Sequence, residues 1–180
     1  MDLVGLALPC AEVVSLALAP FWALAMVWES PLRGGRRFAA WLGMCVSFCM
    51  MWTLPLNALS ATLLYPELPG RWAVPVLGLV SPVLGVRVAA VHRRRSAGED
   101  AGDPRLALAC LALGAVVALL LAPTGASPHL TYAVVVTVAM ATQAWLLLPP
   151  NLVTRIGACA ALFGIVAAPL LMRATGAFAP

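Results

Sequence analysis

The side chain best placed to do chemistry is Glu12, the one charged residue in the apolar run from Leu3 to Trp28. A carboxylate deep in a lipid bilayer is costly, and by default it marks a functional site. At such depth Glu12 can hold a proton, bind a cation or accept a hydrogen bond from a substrate. Two other interpretations compete with these. Glu12 ties two helices together, or the first span is shifted and leaves Glu12 nearer the surface.

A polar stretch in the second apolar segment, WTLPLN from Trp52 to Asn57, accompanies Glu12. Counting from the short loop between the two segments, at about 1.5 Å per residue, places Glu12 level with Trp52 and Thr53. Pro55 removes one helical hydrogen bond, and lipid tolerates such freed groups only beside protein or a wet cavity. We therefore expect this stretch to line one polar cavity with Glu12. An ordinary proline kink is the alternative.

The Leu-Pro-x-Asn pattern recurs in WLLLPPNLV, from Trp145 to Val153. Its Asn151 is expected at the inner end of the fifth apolar segment, just as Asn57 is expected near the outer end of the second. Gln143 lies earlier on the fifth segment, where an interhelical hydrogen bond is the simpler interpretation. The predicted substrate or ion site comprises Glu12, Thr53, Asn57, Gln143 and Asn151.

Two further pairs of segments resemble each other in the same order along the chain: the first apolar segment resembles the fourth, and the third resembles the sixth. AEVVSLALAP, from Ala11 to Pro20, and GAVVALLLAP, from Gly114 to Pro123, agree at six of ten positions. Three spans per copy would make the second copy enter the membrane from the opposite side, which is the inverted-repeat plan of many transporters. The alternative is chance, because apolar segments of low complexity match one another easily.

No motif predicts a metal site, a cofactor or an enzyme activity. The stretch MCVSFCMMW, from Met44 to Trp52, carries soft sulfur ligands that suit copper(I). At helical spacing, however, these sulfurs point in different directions. The two histidines, His92 and His129, are expected at opposite membrane faces. An intramembrane enzyme that uses a cysteine with Glu12 ranks last among the interpretations.

The composition predicts an all-α integral membrane protein. The chain of 180 residues is 63% hydrophobic and 10% charged, whereas a soluble domain carries about 25% charged residues. A chain of this size cannot hide so much apolar surface inside one globule. Six apolar segments are long enough to span a bilayer, and they lie near residues 3–28, 38–56, 72–91, 105–122, 130–148 and 153–172.

The arginines predict the orientation, because cytoplasmic loops carry an excess of positive charge. The opposite side of the membrane, with loops two and four and both termini, holds only Arg71 and Arg173. The odd loops hold nine: Arg33, Arg36, Arg37, Arg87, Arg93, Arg94, Arg95, Arg105 and Arg155. This bias places the odd loops in the cytoplasm and both termini on the non-cytoplasmic side of the cell (inner) membrane.

Small residues recur at every fourth position on several spans, which lets helix backbones approach closely in lipid. The stripes include Ser15, Ala19 and Ala23 on the first span, and Ser81 and Gly85 on the third. Chance is the alternative in a chain so rich in alanine. Tight helix packing is nevertheless expected.

These observations predict one polytopic domain over residues 1–180, a bundle of about six transmembrane helices, with 1–95 and 105–180 as inverted three-helix halves if the repeat is real. The expected function is passage or binding of a small solute or ion at a midplane polar site around Glu12. The alternative is a non-catalytic structural or assembly subunit of a larger membrane complex. The expected partners are the lipid bilayer, a small solute or ion, and a larger complex or further copies of the chain. Nucleic acid is not among them.

Overall fold

The structure is a computed structural model that describes residues 3–64, 73–121, 127–148, 151, 155–157, 160 and 164. The described residues are almost all helical, and no strand occurs among them. The all-α prediction is confirmed for this part of the chain. The chain divides into two compact units, Met1–Gly102 and Asp103–Pro180.

The first unit contains three long helical stretches. The second stretch is continuous through three segments of different type, because a π-helical turn separates two α-helices. In chain order the elements are α1 (Leu3–Val27), α2 (Gly34–Phe48), the π-helical segment (Cys49–Thr53), α3 (Leu54–Leu64) and α4 (Ala73–Ser96).

The second stretch differs from its prediction at both ends. The expected span of 38–56 instead runs from Gly34 to Leu64. The prediction that the helix stops close to Pro55 is wrong. Pro55 is the second residue of α3, and the π turn directly before it widens the helix at the point where proline lacks an N–H to donate. Asn57 therefore lies about 10 Å before the helix end, at about 1.5 Å per residue, and not close to it.

The small-residue stripe of α1 faces the rest of the first unit. Ser15, Ala19 and Ala23 are buried, as the stripe predicts. The opposite face of α1 is apolar and exposed, with 70% of the Phe21 side chain accessible. Trp41 of α2 donates its Nε1 hydrogen to the carbonyl oxygen of Pro20 at 3.1 Å, which fixes the two helices where α1 contains a proline.

Replacing this indole donor should weaken the contact between α1 and α2. We expect Trp41→Phe to lower the free energy of unfolding by about 1 kcal/mol, the usual net contribution of one hydrogen bond. Chemical unfolding in detergent micelles measures the change. Trp52→Phe is the control, because the Trp52 side chain is 57% exposed. Equal loss in the two variants would contradict a role for the Trp41 bond.

Two glycines let α4 approach the second stretch closely. A Cβ built on Gly85 would lie 3.0 Å from the carbonyl oxygen of Ser47, and one on Gly78 would lie 2.7 Å from the Cβ of Ala58. Ser81 lies between them on the same face of α4 and is 1% exposed. The small-residue stripe predicted on the third span therefore lies at the interface between α4 and the second stretch.

Side chains also link the loop ends of the first unit. Ser30 donates its hydroxyl hydrogen to the carbonyl oxygen of Ser96 at 2.7 Å. Arg37 donates from Nη2 to the carbonyl oxygen of Trp28 at 2.7 Å, and its guanidinium lies over the Trp28 ring. These bonds hold the ends of α1, α2 and α4 together.

The described helices of the second unit are α5 (Pro104–Leu121) and α6 (Ser127–Leu147). Asp103 begins α5: its carboxylate accepts the backbone N–H of Leu106 at 3.0 Å, as an N-cap does. The N–H of Asp103 bonds the carbonyl of Leu147 at 3.1 Å, so the start of α5 meets the end of α6 and the two helices are antiparallel. Most of the sixth predicted span, 153–172, lies outside the described residues.

Within the described residues, two helices are long and apolar enough to cross a membrane: Gly5–Val27 and Gly34–Ser60. A core helix of a soluble protein can pass the same test, but such a helix is mostly buried. Only 22% and 28% of the most apolar windows of these two helices are buried within the chain. They therefore present apolar surface outward, which is expected of helices that associate with a membrane.

Candidate functional site

The candidate site lies between α1 and the second helical stretch of the first unit. α1 contributes Glu12 and Ser15, which lie three residues apart and therefore on one face of the helix. Ser15 donates its hydroxyl hydrogen to the backbone carbonyl of Glu12 at 2.8 Å. Glu12 is partly buried, and Ser15 is buried.

The second stretch contributes Thr53, Asn57 and Ser60, at spacings of four and three residues that put all three on one helix face. Asn57 donates from Nδ2 to Oε2 of Glu12 at 3.2 Å. Ser60 donates its hydroxyl hydrogen to Oε1 of the same carboxylate. Each carboxylate oxygen of Glu12 thus accepts a hydrogen bond from α3.

A pair of hydroxyl groups extends this cluster toward the π-helical segment. Ser15 Oγ and Thr53 Oγ1 lie 3.0 Å apart, and either hydroxyl can donate. The five side chains that we call the polar cluster are Glu12, Ser15, Thr53, Asn57 and Ser60. They form two hydrogen-bonded groups, Glu12 with Asn57 and Ser60 and Ser15 with Thr53, which are joined by the bond from Ser15 to the backbone carbonyl of Glu12.

The π-helical segment determines which face of α3 meets α1. Leu54 donates its backbone N–H to the carbonyl of Cys49, five residues earlier, where an α-helix would bond four residues earlier. This turn accommodates one extra residue directly before Pro55. It thereby turns every residue after it by about 100° relative to an uninterrupted α-helix, which has 3.6 residues per turn.

The electrostatic balance at Glu12 depends on neutral donors. Among the described residues, the side chains that bond its carboxylate are Asn57 and Ser60, and both are uncharged. A hydrogen bond to a charged acceptor contributes about 1.5–3 kcal/mol. Two such bonds offset part of the cost of removing the carboxylate from water, but they supply no opposite charge.

A second polar group lies buried on the other side of the stretch. The Oγ of Ser81 on α4 has no hydrogen-bond partner within the described part of the chain. Ser81 lies between Gly78 and Gly85, which contact residues on either side of the proline. The sequence reading treated Ser81 only as a small residue and gave no sign of this unpartnered hydroxyl.

The structure thus brings three of the predicted site residues together: Glu12, Thr53 and Asn57. It corrects their relative heights, because Ser15 lies level with Thr53 while Glu12 lies one to two turns further along, at Asn57 and Ser60. The π turn accounts for about one residue of this difference, because it accommodates one residue more than an α turn does.

The other two predicted residues belong to the second unit. Gln143 is fully buried on α6, on the face that also buries Met140 and Ala144. Asn151 is exposed and follows the end of α6; its carbonyl accepts the backbone N–H of Arg155 at 3.1 Å. The role of both residues in a site stays a prediction.

The two Leu-Pro-x-Asn stretches have different local structures. The first lies inside a continuous helix, whereas α6 ends at Leu147 before the second begins. The helix therefore continues through the first stretch, whereas α6 ends before the second. The inverted repeat stays a prediction, and these two stretches do not add to its support.

Sequence reasoning missed Ser15 and Ser60 as members of the cluster. The signal for Ser60 was present, since Thr53, Asn57 and Ser60 follow the i, i+4, i+7 spacing of one helix face. The predicted second span, 38–56, ends before Ser60 and therefore excludes it. No three His, Cys, Asp or Glu side chains converge on a metal site within the described ranges.

Comparison of the chain with family models, with curated proteins and with solved structures gives no match.

Proposed function

We propose that this chain is an integral membrane protein of about six spans that binds and passes a small solute or ion at the polar cluster. One observation carries the proposal: Glu12, the one charged residue of α1, accepts hydrogen bonds from Asn57 and Ser60 of a neighbouring apolar helix. An ionisable residue inside a membrane span is a functional-site hypothesis by default.

The surface of α1 supports a lipid environment. Its outward face exposes large apolar side chains, among them Val13, Leu16 and Phe21, each more than half accessible. Such a continuous apolar face is unusual on a monomeric soluble protein. The arginine bias gives the orientation that we propose, with odd loops cytoplasmic and both termini outside.

The residues of the cluster take distinct roles in this proposal. Glu12 is the principal ligand, because it alone carries charge. Asn57 and Ser60 orient its carboxylate and exchange hydrogen bonds with the cargo. Thr53 and Ser15 supply hydroxyl groups on the α2 side of Glu12. For the second unit, Gln143 and Asn151 remain proposed polar ligands of a solute or ion on the strength of the sequence alone.

A flux assay tests the role of Glu12. Purified protein in liposomes is assayed for movement of protons, Na⁺, K⁺, chloride and glycerol, and Glu12→Gln should reduce the flux of the transported species tenfold or more. The variant keeps the shape of the side chain and removes its charge. Glu29→Gln is the matched control, because Glu29 is exposed in the turn after α1. Equal flux in parent and Glu12→Gln would reject the proposed role.

A second candidate function is a non-transporting subunit of a larger membrane complex. The hydrogen bonds of Glu12 also serve to join two helices, and the exposed apolar face of α1 suits a protein partner as well as lipid. Purification in mild detergent separates the two candidates. Recovery only in a fixed stoichiometry with a larger membrane protein favours the subunit, whereas recovery alone or as copies of itself favours passage.

A further inference from the structure

We infer that the species handled at the polar cluster is a proton, taken up and released by the Glu12 carboxyl group. The inference rests on the proposed function and names its cargo. It follows from how closely the side chains of the cluster approach one another and from what each can donate or accept.

The contacts around Glu12 suit a proton better than a metal cation. Asn57 Nδ2 lies 3.2 Å from one carboxylate oxygen, and Ser60 bonds the other oxygen directly. Hard cations such as Ca²⁺ take about six to eight oxygen ligands. Among the described residues, the contacts of the Glu12 carboxylate supply one hydroxyl oxygen, from Ser60, and one amide nitrogen, from Asn57. A proton on Glu12 needs a single acceptor, which the Ser60 hydroxyl supplies.

The donor at Asn57 argues in the same direction. Its amide presents the nitrogen to the Glu12 carboxylate. A cation site would use the amide oxygen, because cations such as Na⁺ and Ca²⁺ are held by oxygen atoms. An N–H donor stabilises a carboxylate oxygen whether the other oxygen is protonated or not.

Ser60 allows both protonation states without movement of heavy atoms. A hydroxyl group is both donor and acceptor. When Glu12 is ionised, Ser60 donates to Oε1. When Glu12 carries the proton on Oε1, the carboxyl O–H donates to Ser60 Oγ. The hydrogen bond reverses direction and persists, so the site accommodates uptake and release of one proton.

The charge around the site leaves proton exchange to Glu12. α1 carries no other charge between Leu3 and Trp28, and the second stretch carries none between Phe38 and Leu64. Of the other titratable groups on these helices and on α4, Cys49 contacts the cluster, since its side chain hydrogen-bonds Thr53. The remainder are Cys10, Cys45, Arg36, Arg37, Arg87, His92, Arg93, Arg94 and Arg95. Protonation of Glu12 therefore removes the one charge that the helix pair carries within Leu3–Trp28 and Phe38–Leu64.

Two measurements on the full chain test the inference. In liposomes that contain a pH-sensitive dye, a K⁺ diffusion potential set by valinomycin should drive proton entry. Glu12→Gln should lower this rate tenfold or more, and Ser60→Ala should lower it severalfold. Thr62→Ala is the matched control, because the Thr62 hydroxyl donates to the carbonyl of Ala58 within α3 and not to a member of the cluster. Its rate should equal that of the parent.

Infrared difference spectroscopy of the purified protein provides the second measurement. A carboxyl band that appears and disappears as pH changes, and that is absent from Glu12→Gln, supports the inference. Glu12-dependent flux of Na⁺ or K⁺ without proton movement overturns it and leaves the proposed passage function standing. A Glu12 band that titrates without any flux supports proton binding and rejects passage. Absence of both signals overturns both.

Discussion

Insertion of one alanine after Trp52, in the π-helical segment, is expected to separate Glu12 from its partners on α3. The five-residue π turn already accommodates one more residue than an α-helix would, so it does not hold a second one. Every residue after the insertion then turns by about 100° relative to those before it. Asn57 and Ser60 can no longer face Glu12 while the residues of α2 keep their contacts.

The packing around the segment makes this change costly. Before the turn, Met44 is buried against α1 residues, and Ser47 lies close to Gly85 of α4. After the turn, Ala58 approaches Gly78 of α4. A turn of about 100° between the two sets cannot satisfy both, so one set is lost whichever half rotates. Loss of several buried contacts typically costs more than about 3 kcal/mol.

The measurement is a double-mutant cycle between Glu12 and Asn57, in the parent and in the insertion variant. In the parent, Glu12→Gln and Asn57→Leu should show a coupling of about 1–3 kcal/mol in the free energy of unfolding. In the insertion variant the coupling should vanish, and the thermal transition should fall by many degrees. Deletion of Trp52 is the matched control, since the bond from Leu54 to Cys49 then spans four residues, as in an α-helix, and α3 keeps its direction.

Retention of the coupling after the insertion would show that the π turn does not orient α3. An insertion variant that fails to fold is informative beside the deletion of Trp52. If both fail, the loss comes from the changed length of the segment and not from the direction of α3. If the deletion variant folds and the insertion variant does not, the direction of α3 is essential to the unit.

The sequence predicted that Glu12, Thr53 and Asn57 lie close together, because the distance of a residue from the end of its helix can be estimated by counting residues. The helical rise is constant enough that two segments joined by a short loop can be compared position by position. The comparison was wrong by one to two turns, and the π turn, which hydropathy does not report, accounts for about one residue of that error. The same turn explains why Pro55 seemed to end a helix that continues for nine further residues.

Other features depend on contacts that leave no trace in a single sequence. His92 was expected at a membrane face, yet its ring is 1% exposed because it packs on Gly43 of α2. Nothing in the spacing of either residue links them, since the contact joins helices that are distant in sequence. Ser81 is similar: its type suggested a small packing residue, and only the packed structure shows its hydroxyl to be buried without a partner.

Addition of a methyl group at Gly43 is expected to destabilise the first unit. A Cβ at this position would lie 2.3, 2.4 and 2.7 Å from three ring atoms of His92. Real Cβ atoms do not approach other heavy atoms so closely, so the ring or the helix must move. Because the ring is almost fully buried, it has little space to yield. Overpacking of this kind typically costs about 1–3 kcal/mol.

Gly35→Ala is the matched control for Gly43→Ala. Both glycines lie on α2, but a Cβ at Gly35 meets nothing within 4 Å. The exchange of glycine for alanine in a helix is itself favourable by up to about 1 kcal/mol. Gly35→Ala should therefore leave the free energy of unfolding unchanged or raise it, while Gly43→Ala lowers it. The difference between the two variants isolates the steric clash from helix propensity.

Removal of the ring should restore part of the stability lost at Gly43. His92→Ala alone leaves a cavity and should destabilise the unit, as truncation of a buried side chain does. In the double variant the Gly43→Ala methyl group extends into that cavity, so the two losses should sum to more than the measured total. Additive losses would mean that α2 and α4 do not meet at Gly43 and His92. A non-additive result fixes the contact between α2 and α4 nearly two turns before the π-helical segment, on the same face of α4 that carries Gly85.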